Sequence, residues 1–211
     1  MRKAHRPSAP ESLAEHGTAW SAEFAKLRAE DASYRFQWKS YQGQRVNQHL
    51  LPHLEAMTAG HCAYCDTYPF GTDSHETIDH FLPKARFPWL AYCWENLYLA
   101  CTMCQSEKER EFDSQVEPAT DSSELIRPDE AGYSFQRYFL FNYESGEIEA
   151  NPAASERDRE RAGQALRCFG LNQGTRAQSR KRIVRNFHRA TPDERAGIDD
   201  WPYRFLFDGL L

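Results

Sequence analysis

Apolar residues recur with helical spacing over the first quarter of the chain. Trp20, Phe24 and Leu27 stand four and three apart, which predicts an amphipathic helix over 11–38. A second helix is expected from about Tyr41 to Met57, with Val46, Leu50, Leu51 and Leu54 on one side. Pro52 inside it is expected to kink or split it. Ile78 to Leu82 is short, apolar and bounded by turn residues, which suits a strand. Trp89 to Leu99 is rich in aromatics, and Gln105 to Phe112 is dense in Glu and Lys and reads as a helix. Strand, loop, strand, helix is a ββα order. Tyr138 to Asn142 and Glu147 to Ala150 flank Glu144-Ser145-Gly146, a hairpin signal. Ser155 to Phe169 places Ala162, Ala165, Leu166 and Phe169 on one face, with Gly170 just beyond its end. Thr175 to Arg189 reads as a last helix with Ile183, Val184 and Phe187 inward.

Between these elements the pattern breaks. Residues 1–10 are polar and hold two prolines, which suggests a loose arm. Residues 113–132 carry Pro118, Pro128 and many Asp and Ser and read as an irregular connection. The stretch from Trp201 to Phe207 is apolar and is expected to pack on the core or dock on a partner. The fold class is thus α+β and mainly helical. Three parts are expected: an N-terminal arm and helices over 1–58, a metal-stapled core over 59–112, and a connection, hairpin and C-terminal helices over 113–211, packed with the core as one unit.

The core carries the chemistry. Cys62-Ala63-Tyr64-Cys65 and Cys101-Thr102-Met103-Cys104 are two CxxC pairs. Each places two thiolates on one tight turn, and together they supply the four soft ligands of a tetrahedral structural zinc site. The alternative, a redox CxxC, lacks a thioredoxin-like βαβ context. Cys93 and Cys168 have no pair partner and read as small apolar residues. Between the pairs lie Asp79-His80, Pro83-Lys84 and Trp94-Glu95-Asn96-Leu97. A carboxylate beside an imidazole offers a hard ligand and a base able to activate water, although such a dipeptide alone is more often structural. His75 reads as a surface histidine.

Composition narrows the class. Of 211 residues, 40% are apolar and 27% charged, with a net charge of −5. No run of about 18 apolar residues occurs, and the basic start is not followed by an apolar secretory segment. A cytoplasmic setting without membrane contact is therefore expected. The acidic total argues against a surface that grips nucleic acid everywhere. Local exceptions are Arg2, Lys3 and Arg6, and the segment 174–190 with Arg176, Arg180, Lys181, Arg182, Arg185 and Arg189. These are candidate phosphate contacts or a solvated helix face.

The ordered set Asp79-His80, Pro83-Lys84, Asn96-Leu97 and Cys101-Thr102-Met103-Cys104-Gln105-Ser106-Glu107-Lys108 resembles the HNH, or ββα-metal, nucleases over about residues 60–110. The resemblance implies a ββα-metal core with a four-cysteine pair of zinc knuckles. It implies that His80 is the general base and Asp79 a ligand of a catalytic Mg²⁺ or Mn²⁺. It gives Asn96 the role of holding the loop and orienting the base. Gln105 stands where the family usually has Asn or His as the second metal ligand, which is a departure. Lys84 and Lys108 fall where basic residues meet phosphate, or are merely solvated. Over perhaps 45–190 the order is similar to the PtuB-type HNH subunits of Septu anti-phage systems, some of them retron-linked. That likeness implies a nuclease effector restrained by a PtuA-like ABC-type ATPase. DNA is the expected substrate. RNA, with tRNA the obvious target, and a zinc-knuckle binding module with no catalytic role remain alternatives.

Overall fold

The computed structural model describes residues 1–70, 76–114 and 125–208. His75 and the 115–124 part of the expected connection lie outside them. Helix α1 spans Glu11–Glu30 and stops well short of residue 38. The Asp31 carboxylate accepts from the Ser33 backbone N–H (2.8 Å) and hydroxyl (2.7 Å), a local turn that competes with further helix. Beyond it the chain runs without regular structure, with Tyr34, Phe36 and Trp38 at every second position. A tight ribbon follows, β1 Ser40–Tyr41 with β2 Gln44–Arg45. Its turn, Gln42-Gly43, has positive φ at both residues (48° and 81°), as such hairpins require. Helix α2 therefore begins later than its apolar pattern suggested, at Val46, and runs to Thr58 without breaking at Pro52.

The centre is a strand pair and a helix. Strand β3, Glu76–His80, lies antiparallel to β4, Leu97–Cys101, with Glu76 opposite Cys101 and His80 opposite Leu97. Every residue of β4 is buried, and Val46, Leu50 and Leu54 of α2 belong to the same core. Helix α3, Thr102–Ser114, follows β4 directly and packs on both strands. The order strand, strand, helix is as expected, with β3 displaced two residues toward the N-terminus.

The C-terminal half braces this centre. A single turn, α4 (Phe135–Tyr138), leads into β5 (Phe139–Phe141), which pairs antiparallel with β6 (Ile148–Ala150). Gly146 closes that hairpin with φ +81°, and a Cβ there would sit 2.4 Å from the Ala177 carbonyl oxygen, so only glycine fits. Helix α5, Glu156–Cys168, is capped by Ser155 and packs on α3. Helix α6 spans Arg176–Arg189, and α7, Pro192–Ala196, starts with a Thr191/Glu194 capping box. Phe187 is buried, while Ile183 and Val184 are half-buried.

Both ends of the described chain are held, which corrects the loose arm. The Arg6 guanidinium donates to Asp129 (2.5 Å) and to the Trp94 (2.6 Å) and Leu97 (3.1 Å) carbonyls, and lies 4.4 Å from the Tyr98 ring. At the other end Phe205, Leu206 and Phe207 are buried, and Phe207 stacks on Phe187 at 3.8 Å. The apolar terminus packs on the core. Arg204 fastens it: its guanidinium donates to Asp66 Oδ1 (2.7 Å) and the Thr58 carbonyl (2.7 Å), next to the first cysteine pair. Arg204→Ala leaves Asp66 buried without its cation. It is expected to cost about 3–5 kcal/mol, read as a shift in a urea unfolding midpoint.

Candidate metal centre and active site

Residues 62–65 follow α2, and Cys101 and Cys104 sit where β4 passes into α3. The chain folds so that the two turns meet. All four cysteines are buried, and their Sγ atoms lie within 4.8 Å of one another. Cys65 and Cys101 Sγ are 3.7 Å apart, too far for a disulfide. Four sulfurs at about 2.3 Å from one tetrahedral zinc stand roughly 3.8 Å apart, so the donor set fits zinc. Backbone N–H groups add to the fit: Cys101 N donates to Cys62 Sγ (3.3 Å) and Cys104 N to Cys101 Sγ (3.5 Å). The Arg176 guanidinium donates to Cys104 Sγ (3.4 Å) and Cys101 Sγ (3.9 Å). Burial works against its charge, but Cys104, Cys65 and Cys101 raise its pKa above the ordinary arginine value. Among the described residues this is the only group of three or more His, Cys, Asp or Glu side chains so gathered.

Asp79 and His80 end β3, one on each face. Asp79 is 2% and His80 5% exposed. Both cysteine turns reach the aspartate. Tyr64, between Cys62 and Cys65, donates its hydroxyl to Asp79 Oδ2 at 2.7 Å. Lys108, four residues after Cys104 on α3, donates to the same oxygen at 2.6 Å and also to the His80 and Phe81 carbonyls. Both of these bonds fall on Oδ2 and leave Oδ1 to other partners. His80 Nε2 lies 2.9 Å from the Ala91 carbonyl. A carbonyl only accepts, so Nε2 carries the proton and Nδ1 keeps its lone pair. Trp38 stacks on the imidazole at 5.8 Å, and Phe36 meets it edge-on at 5.2 Å. Burial, and then the neighbouring Lys84 charge, push the imidazole pKa well below the ordinary histidine value.

Asn96 clamps the intervening loop. Its Oδ1 accepts from Leu82 N (2.8 Å), and its Nδ2 donates to the Leu82 (3.0 Å) and Leu90 (3.1 Å) carbonyls. Leu90 adjoins Ala91, so Asn96 holds the segment that orients His80.

A cavity of about 260 Å³ opens beside these groups, lined by Asp79, His80, Lys84, Arg86, Lys108 and Glu109, and by Phe24, Arg28, Tyr34 and Phe36 from the N-terminal part of the chain. Four basic side chains against two acidic make it positive in a chain of net charge −5. Gln105 does not line it. Its amide donates to Glu109 at 3.1 Å, and Glu109 reaches the cavity instead. Several expected phosphate contacts prove internal: besides Arg6 on Asp129 and Arg176 on the cysteine sulfurs, two more are taken up. Lys108 is 1% exposed and ion-paired with Asp79. Arg180 is 1% exposed and donates to the Gly146 and Leu171 carbonyls and to Asn172. Lys181, Arg182 and Arg185 are exposed, and Lys84 lines the cavity. Tyr64 is the residue missed, and Arg176, expected as a phosphate contact, is instead a donor to the sulfurs. Their signal is position: one lies inside a CxxC turn, the other on the inward stripe of α6.

No family model matches the chain. Septu protein PtuB of Bacillus mycoides (strain KBAB4) is 27% identical over 124 residues, 49% of this chain and 40% of that protein. Septu protein PtuB of Bacillus thuringiensis is 34% identical over 65 residues, 31% of this chain and 25% of that protein. The chain thus spans less than half the length of the curated relatives it matches. No described helix is long and apolar enough to cross a membrane. An α+β chain with a buried four-cysteine cluster, it is similar over part of its length to Septu protein PtuB.

Proposed function

We propose that this protein is an HNH-type endonuclease that hydrolyses nucleic-acid phosphodiesters, DNA foremost, as the effector of an anti-phage system with an ABC-type ATPase partner. The observation that carries the reading is His80: an imidazole with Nε2 pinned to a carbonyl, a free lone pair on Nδ1, and a pKa low enough to keep the ring neutral, in a positive cavity beside Asp79. A neutral imidazole takes a proton from water. The water oxygen bonds to phosphorus, the P–O ester bond breaks, and the leaving alkoxide takes its proton from solvent. Lys84 and Arg86 line the cavity where the anionic diester would lie, and their charges offset its own.

A catalytic Mg²⁺ or Mn²⁺ would be held by Asp79, through the carboxylate oxygen that Tyr64 and Lys108 do not use, and it would neutralise charge on the phosphate. Gln105, whose amide donates to Glu109, is left out of this reading. The ATPase partner rests on the Septu likeness, and co-purification of such a protein with the tagged chain tests it.

The reading predicts that DNA cut by the wild type is cut far more slowly by His80→Ala, with RNA assayed in parallel. It also assigns Tyr64 a task. Tyr64→Phe removes one hydrogen bond to a charged carboxylate and keeps the ring. Cleavage should fall about ten-fold while zinc content stays unchanged. An unaltered rate would remove Tyr64 from the site.

A further inference from the structure

The cavity has a second wall that phosphate chemistry does not use. Phe24 comes from α1, and Tyr34 and Phe36 from the segment after it. Phe24 and Tyr34 rings lie 6.3 Å apart, and Phe24 meets Phe36 edge-on at 5.2 Å. Phe36 is spent on packing, since it also touches Trp38, Tyr92 and the His80 ring. Tyr34 is not spent: it is 38% exposed. Its carbonyl accepts from the Arg28 guanidinium at 3.3 Å, and Arg28 lines the same cavity. A cationic group and an open aromatic ring therefore share one cavity with the recessed imidazole.

We propose that substrate reaches this site as an unpaired polynucleotide strand, one base stacked on Tyr34 and its phosphate drawn toward Lys84 and His80. The proposal rests on the nuclease reading above. Aromatic rings interleaved with cations are the platform on which single strands bind, because every base has a π-face and every linkage a charge. A perfect duplex offers neither advantage here. Its bases are stacked on one another and present no face to Tyr34. Its stiff backbone is also poorly able to bend into a recess where the catalytic imidazole is 5% exposed. An unpaired strand, a loop or a bulge satisfies both walls at once.

The test uses the full chain and short fluorescent oligonucleotides of one sequence, as DNA and as RNA. The forms are a single strand, the perfect duplex, and a duplex with a central unpaired loop. Anisotropy titrations should show the strand and the looped duplex binding at least about five-fold tighter than the perfect duplex, the scale of one stacked base. With Mg²⁺ or Mn²⁺, cutting should follow the same order. Tyr34→Ala should erase the preference, and Tyr34→Phe, which keeps the ring, should retain it. The DNA and RNA arms separate the two sources of strand. Equal binding of strand and duplex, or a preference untouched by Tyr34→Ala, overturns the proposal. Cleavage of every form at the His80→Ala level strikes instead at the nuclease reading, while the binding ratio still judges the strand preference.

Discussion

Replacing Cys104 with serine should strip the chain of zinc and unfold its centre. A serine hydroxyl is a harder and far less acidic donor than a thiol, and zinc held by four thiolates prefers sulfur. Structural zinc in small domains is worth about 10–16 kcal/mol, comparable to the whole stability of a typical domain, about 5–15 kcal/mol. Here the cluster joins two separate stretches of chain: the turn after α2 and the junction where β4 passes into α3. It also sets Tyr64 and Lys108 against one oxygen of Asp79. The loss should therefore reach the aspartate of the proposed site as well as the fold. Wild-type protein should carry about one zinc per chain by metal analysis, and Cys104→Ser should carry little and lose its cooperative thermal transition. Cys93→Ser is the control, because Cys93 is half-buried and its thiol donates to Glu95 at 3.1 Å, away from the cluster; it should keep zinc and melt normally. Zinc-free wild-type protein, or a Cys104→Ser variant that melts like it, would refute the assignment.

The cysteine pairs, the strand–strand–helix order and the adjacency of Asp79 and His80 were all legible in the sequence, because each is a local pattern. What escaped was set by tertiary contact and by short turns. The end of α1 at Glu30 depends on a three-residue Asp31–Ser33 turn that helical periodicity does not see. Past it, Tyr34, Phe36 and Trp38 recur with period two. Directly after a helical pattern, so short a period-two run reads as more helix. The cations misled most. Charge made Lys108, Arg176 and Arg180 look solvated, yet each is buried against carbonyls, sulfurs or a carboxylate. Arg176 and Arg180 stand four apart, on the stripe that continues through Ile183 and Phe187. Their spacing belongs to the inward stripe, while their charge suggests an outward face.

His80→Ala should lower cleavage by about 10²–10⁴-fold, the usual worth of a general base, and leave zinc content unchanged. The ring also packs between Trp38 and Phe36, so a modest fall in melting temperature is expected alongside. The pH profile separates the two roles. The active form is the neutral imidazole. Burial and Lys84 depress its pKa well below about 6.5, so cleavage should stay level from neutral pH down through 6.5 and decline only as pH falls through the lowered value. Lys84→Ala removes one of the groups that lower it, and the acid limb should then move upward. The same shift governs stability. Below about 6.5 an unfolded histidine binds a proton that the folded one refuses, so the folded state loses stability as pH falls and keeps all of it above. In His80→Ala that part of the pH dependence should vanish. Full cleavage by His80→Ala would remove the base from this mechanism. An acid limb at or above 6.5 in the wild type would mean that the group titrating is not this buried imidazole.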